Sequence, residues 1–184
     1  MSELRGPIVT RSLLLAPRDA VWARVSTAAG VNDELWPLFR MTAPERLRHD
    51  GLGAVEVGRR ICRSFVLLGG VLPIDWDDIT LVELDPPAGF RERSSMLSQR
   101  VWEHERALEQ TSDGCMLTDR VGYLPRIAVP DAALRALFSR VFRHRHRRLQ
   151  RRFGGRFVPA GGVSAQAGPP ESHPGDPPAR TAGA

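Results

Sequence analysis

The chain is 184 residues long, 42% hydrophobic and 26% charged, which suits one globular domain and leaves too little for two once a low-complexity end is set aside. No apolar run approaches the roughly 18 residues that a membrane-spanning helix needs; the best candidate, 65–72, is brief and follows a basic stretch. The net charge of +5 invites a nucleic-acid or anionic-membrane partner, but the basic excess crowds into 140–156, and the middle of the chain holds Arg, Asp and Glu in near balance.

Residues 8–15, rich in Ile, Val and Leu, predict a first strand that Pro17 closes. Asp19 opens a helix through Trp22, Val25 and Ala29, which Gly30 interrupts. Asn32, Asp33 and Glu34 then read as the start of a second short helix carrying Leu35, Trp36, Leu38 and Phe39, with Pro44 ending the region. Across 54–126, short β-type runs alternate with turn residues, the pattern of an antiparallel meander. Strands are predicted at 56–68, 74–84, 89–95, 99–109 and 115–124, punctuated by Gly69-Gly70, Asp85-Pro86-Pro87 and Ser112-Asp113-Gly114.

Pro130 and Asp131 begin a long helix in which Leu134, Leu137, Phe138, Val141, Phe142, Leu149 and Phe153 fall on one broad stripe, and Gly154-Gly155 ends it. Such a stripe needs an apolar partner, and a sheet with one uncovered face supplies it. Residues 159–184 are dominated by Pro, Gly, Ala and Ser; they cannot bury enough apolar surface to offset the entropy of ordering and predict a disordered tail. A single domain is therefore expected at 1–158.

The order strand, two short helices, antiparallel meander, long C-terminal helix resembles the START-like superfamily, also called the SRPBCC or birch-pollen-allergen-like fold, over residues 8–153. Gly69-Gly70-Val71-Leu72-Pro73-Ile74-Asp75, Gly89-Phe90-Arg91-Glu92-Arg93-Ser94, Trp102-Glu103-His104-Glu105-Arg106 and Phe142-Arg143-His144-Arg145-His146-Arg147 are similar to segments of bacterial members. The resemblance implies an α+β helix-grip fold: a curved antiparallel β-sheet wrapped around a long C-terminal α-helix, with two short helices after the first strand. It also implies a cavity between sheet and helix for a lipid, hormone, polyketide or other apolar molecule. Some members are polyketide cyclase-like or dehydratases and others only carry, so the reaction, if any, has to be argued from the site.

Strand alternation says which side chains share a face. Trp102 and Leu108 share one with Arg100, His104 and Arg106; Leu117, Val121 and Tyr123 share one with Asp119; Phe90 shares one with Glu92 and Ser94. If the apolar face is the inner one, Glu92, His104, Arg106 and Asp119 point inward. Buried charges must be paired or neutralised, so a balanced network is expected. Arg145 lies between Phe142 and Leu149 on the helix stripe and is expected to meet Glu92 or Asp119, whereas Arg143, Arg147 and Arg151 should reach solvent.

These residues support a binding protein, or a cyclase-like enzyme, for a small hydrophobic molecule. The expected wall is Trp76, Phe90, Trp102, Leu117, Tyr123, Phe138 and Phe142, and the polar anchors are Glu92, His104, Arg106, Asp119 and Arg145, with His104 or Glu92 as acid or base. The other reading of the same cluster, an ion-pair network pinning helix to sheet with no ligand in contact, is the more common use of buried Arg–carboxylate pairs. The alternative is an interaction module whose arginine-rich helix end, 140–156, docks on nucleic acid or anionic lipid; against nucleic acid, no stacking aromatics interleave with those arginines.

Other motifs point elsewhere. His144 and His146, two apart on a helix, diverge and cannot chelate one ion. Asp75, Asp77 and Asp78 lack the glycine and terminal glutamate of a calcium loop and read as turn and solvent-face residues. No G-x-S-x-G elbow, phosphate loop or dinucleotide fingerprint occurs, so neither metal nor cofactor is expected. Cys62 and Cys115 are too few and too far apart for a disulfide framework and read as reduced core thiols. Residues 1–11 lack the layout of a secretion signal, which points to the cytoplasm.

Overall fold

A computed structural model describes residues 3–45, 47 and 51–159; apart from Pro159, the tail expected at 159–184 lies outside the described residues. The Ile- and Leu-rich start forms strand β1 (Arg5–Leu14), followed by helices α1 (Arg18–Val25) and α2 (Ala28–Leu35), a short strand β2 (Phe39–Met41) and a 3-10 turn at Gly51–Ala54. The meander comprises β3 (Arg60–Leu68), β4 (Leu72–Asp85), β5 (Gly89–Met96), β6 (Gln99–Thr111) and β7 (Gly114–Pro125). The long helix α3 (Asp131–Phe153) follows. Its last residue gives way to Gly154, whose φ of 73° ends the helix, and to β8 (Gly155–Phe157), a strand absent from the sequence-based expectation.

Among the described residues, eight strands form one sheet in the order β2-β3-β4-β5-β6-β7-β1-β8, antiparallel at every pairing. Register shifts in the β1–β7, β3–β4, β4–β5 and β6–β7 pairs are bulges that bend a sheet, and α3 packs against β1 and α2. This is the expected α+β helix-grip architecture. Among the described residues, no helix is long and apolar enough to cross a membrane.

The two short helices differ from expectation. The first ends at Val25, and the second starts at Ala28 instead of Asn32, capped by Thr27, whose hydroxyl oxygen accepts from the Gly30 amide at 3.0 Å. Gly30 lies inside α2 because a Cβ there would stand 1.8 Å from the Arg24 carbonyl oxygen; it permits a close approach of α1 and α2 and breaks neither. Asn32 starts no helix: its side chain bonds the Met41 backbone in both directions, and Trp36, Leu38 and Phe39 lie beyond the helix. Replacing a Thr cap by Ala costs about 1 kcal/mol, so Thr27→Ala should lower the melting temperature by roughly 2–4 °C, measurable by circular dichroism.

The interior is layered along α3. At one end Leu14, Val21, Val25, Leu108, Cys115, Leu117 and Leu149 form a buried apolar cluster. At the other, Ile8, Val121, Tyr123, Leu134 and Phe142 form a second, with Trp102 and Phe138 against it. Between them α2, β5, β6, β7 and α3 contribute buried ionisable side chains.

Candidate functional site

The polar layer is a product of register. In the β6–β7 pair Arg106 stands opposite Asp119, and in the β5–β6 pair Glu92 stands opposite His104, so alternation turns all four to the inner face. Their exposures are 1% for Arg106, 0% for Asp119, 9% for Glu92 and 4% for His104. Arg106 donates to both Asp119 oxygens at 2.8 and 2.7 Å, and to both Glu34 oxygens at 2.9 and 3.0 Å. Arg145, also buried, donates from Nε to Glu34 Oε2 at 2.9 Å. Asp119 receives two further hydrogen bonds, from His104 Nε2 and His146 Nε2, each at 3.0 Å.

Two guanidinium groups thus balance two carboxylates, with each Asp119 oxygen accepting twice, the arrangement that buried charges require. Burial alone would raise the pKa of Asp119, but Arg106 and His104 beside it hold it well below the usual carboxylate range. The same competition, between burial and the charges of Arg106 and Arg145, leaves Glu34 lowered. His146 continues the chain: Gln150 donates to Ser12 Oγ at 2.8 Å, and the Ser12 hydroxyl meets His146 Nδ1 at 2.8 Å.

Beside this layer lies a cavity of about 460 Å³ between β3–β6, α2 and the first half of α3. Phe90, Trp102, Phe138 and Phe142 supply aromatic wall; Glu92, His104 and Arg145 reach it from the polar layer. The His104 ring lies edge-on between Phe90 and Phe142, at centroid distances of 5.3 and 5.1 Å. Ile74 and Leu137 line the cavity and are 45% and 49% exposed, marking its mouth.

Several expectations need correction. Trp76 faces away from the cavity, with the Arg63 guanidinium 4.2 Å from its ring centroid. Its neighbour Asp77, read as a solvent-face residue, is the one that points in and is 3% exposed. The apolar residues of β4 change parity between Ile74, Trp76 and Ile79, Leu81, and a one-residue slip exchanges the faces. Arg100 is exposed and Gln99 buried, because a bulge separates Gln99 from Val101. Leu117 and Tyr123 belong to the two apolar clusters, and Arg106 and Asp119 sit behind the cavity in the seam with α3; none of the four lines it. Arg145 meets Glu34, not Glu92 or Asp119, because the Glu34 carboxylate of α2 bridges it to Arg106.

Asp77 and Glu92 complete the polar end. Burial first, then the Glu92 charge, push the Asp77 carboxyl up to about 10, so it is protonated at neutral pH. Glu92 Oε1 accepts from Ser94 Oγ at 2.5 Å, and its Oε2 stands 3.9 Å from His104 Nδ1. Sequence reasoning missed Glu34, His146, Asp77 and Gln99; the one usable signal was Thr27, since a helix starting after that cap places Glu34 on the buried face with Gly30.

Of the arginine-rich end, Arg143, Arg147 and Arg151 are exposed, while Arg145 and Arg148 are engaged by Glu34 and Asp33. Among the described residues, no three His, Cys, Asp or Glu side chains are grouped to hold a metal. Cys62 is half-buried and Cys115 is buried.

The sequence matches the family described as Domain of unknown function (DUF8410) over residues 12–153. No curated protein matches it in sequence. Among solved structures, protein CV1439 from Chromobacterium violaceum is similar at 15% identity and a TM-score of 0.62, over 82% of this chain and 99% of that one. A START superfamily protein from Mycobacterium smegmatis is similar at 13% identity and a TM-score of 0.59, over 80% and 97%. DynU16, described as a protein in the dynemicin biosynthetic locus, is similar at 19% identity and a TM-score of 0.56, over 80% of this chain and 46% of its own.

Proposed function

Starting from a chain that belongs to the DUF8410 family and has a START-like fold, we propose that it binds a small, largely apolar molecule in the cavity between sheet and α3. The observation that carries this reading is the hollow itself: about 460 Å³ with aromatic walls and a half-exposed apolar mouth. Ligand cavities combine apolar lining with a few convergent polar groups, and Asp77, Glu92 and His104 supply those groups at one end. A protonated Asp77 beside Glu92 is also an acid and base pair at hand for a bound carbonyl or hydroxyl, as cyclase-type or dehydratase-type chemistry would need.

Binding stabilises the fold by RT ln(1 + [L]/Kd), about 1.4 kcal/mol at ten times Kd. Neutral polycyclic aromatics should therefore raise the melting temperature saturably, and Val66→Trp, which fills the cavity from β3, should abolish that rise without lowering the melting temperature of the free protein. No stabilisation by any apolar compound would remove the proposal. The alternative, docking of the exposed arginines on nucleic acid or anionic lipid, requires affinity that falls steeply with salt, and a salt titration against mixed DNA and anionic vesicles decides it.

A further inference from the structure

At the polar end of the cavity, donors and acceptors are out of balance. The hydroxyls of Ser64, Ser94 and Ser98 donate to Thr42, Glu92 and Asp75; the amide nitrogen of Asn32 donates to Met41; His104 and Arg145 donate to Asp119 and Glu34. Each of these lining groups already donates at least once inside the protein. Two acceptors are not engaged. Asp77 Oδ1 and Gln99 Oε1 are buried and find no hydrogen-bond partner among the described residues, and both residues line the cavity, each 3% exposed.

They lie at the same end. Asp77 pairs with Met96 across β4 and β5, and Gln99 follows Met96 through the β5–β6 turn, its own amide nitrogen turned to Ser98 Oγ at 3.3 Å. A buried polar atom without a partner is costly, and groups of this kind are satisfied by whatever enters the site. The Gln99 carbonyl can only accept. Asp77 shares a side-chain hydrogen bond with Glu92; with its proton placed there, Asp77 Oδ1 is an acceptor as well.

Resting on the reading that the cavity holds an apolar guest, we infer that this guest is an uncharged molecule whose hydroxyl donates to Gln99 Oε1 or Asp77 Oδ1, and that the cavity rejects a carboxylate of the same shape. A carboxylate would bring two more acceptors and a negative charge to an end already holding Asp75, Asp77 and Glu92, with Arg145 neutralised by Glu34. A hydroxyl completes what the bulge at Gln99 leaves open.

Fluorescence titration with pyrene, 1-hydroxypyrene and pyrene-1-carboxylate at about pH 6.5 tests this. The hydroxylated probe should bind about tenfold tighter than pyrene, the ratio expected for satisfying one buried acceptor, and the carboxylate should bind more weakly than pyrene. In Gln99→Leu, with its fold checked by thermal melting, the preference of hydroxypyrene over pyrene should shrink at least about threefold. Pyrene binding with no preference for the hydroxyl, or a carboxylate that binds tightest, overturns this inference and leaves the apolar-guest reading standing. Failure of all three probes to bind overturns both.

Discussion

Arg106→Met should destabilise the protein by about 3–5 kcal/mol at neutral pH, a large fraction of the 5–15 kcal/mol that holds a typical domain together. The side chain is fully buried and donates to both oxygens of Asp119 and of Glu34, so its loss strands two buried carboxylates, only one of which keeps an arginine, Arg145. Packing loss alone would give a pH-independent deficit; the electrostatic account gives a signature. In the wild type both carboxylates have lowered pKa values, so their contribution is fully present above their unfolded values near 4 and is lost as pH falls further. In the variant the stranded acids gain from taking up protons, so its deficit should narrow as pH falls from about 7 to about 5. Urea unfolding at both pH values checks this, and a deficit that is constant, or below about 1 kcal/mol, would show that the layer does not pin helix to sheet.

Asp77→Asn should have the opposite sign. Asp77 is pushed up to about 10 by burial and by Glu92, so between its unfolded value near 3.9 and that value the folded chain keeps a proton that the unfolded chain has released. Its stabilising share is complete at low pH and is lost as pH rises through this window, at up to 1.36 kcal/mol per unit. The amide never titrates. Relative to wild type, Asp77→Asn should therefore gain on the order of 2–4 kcal/mol between pH 5 and pH 8, read from paired urea melts. Equal slopes for the two proteins would place an ionised Asp77 in the fold. A carboxylic acid retained at such a cost, in the wall of a cavity, is the kind of perturbed group that marks functional sites.

The ridge of exposed charge outside the sheet carries less weight. Arg63 with Asp78, Arg91 with Glu83 and Arg120 with Glu105 pair across strands on the outer face, and exposed pairs of this type contribute roughly 0–1 kcal/mol each. The same residue types have unequal consequences on the two faces, because water screens one set and not the other.

The sequence by itself determined the meander, the apolar stripe of α3 and the inward direction of Glu92, His104, Arg106, Asp119 and Arg145, since these follow from periods of 2 and 3.6 written in local residue order. It did not determine who meets whom. Glu34 joins Arg145 across 111 positions and Arg106 across 72, and that meeting exists only because α2 docks beside α3, a packing event with no local signature. Nor did it determine which of Trp76 and Asp77, or of Arg100 and Gln99, faces the cavity. Those choices rest on bulges and register shifts, where one extra residue reverses every side chain beyond it, and only the assembled sheet decides where that residue goes.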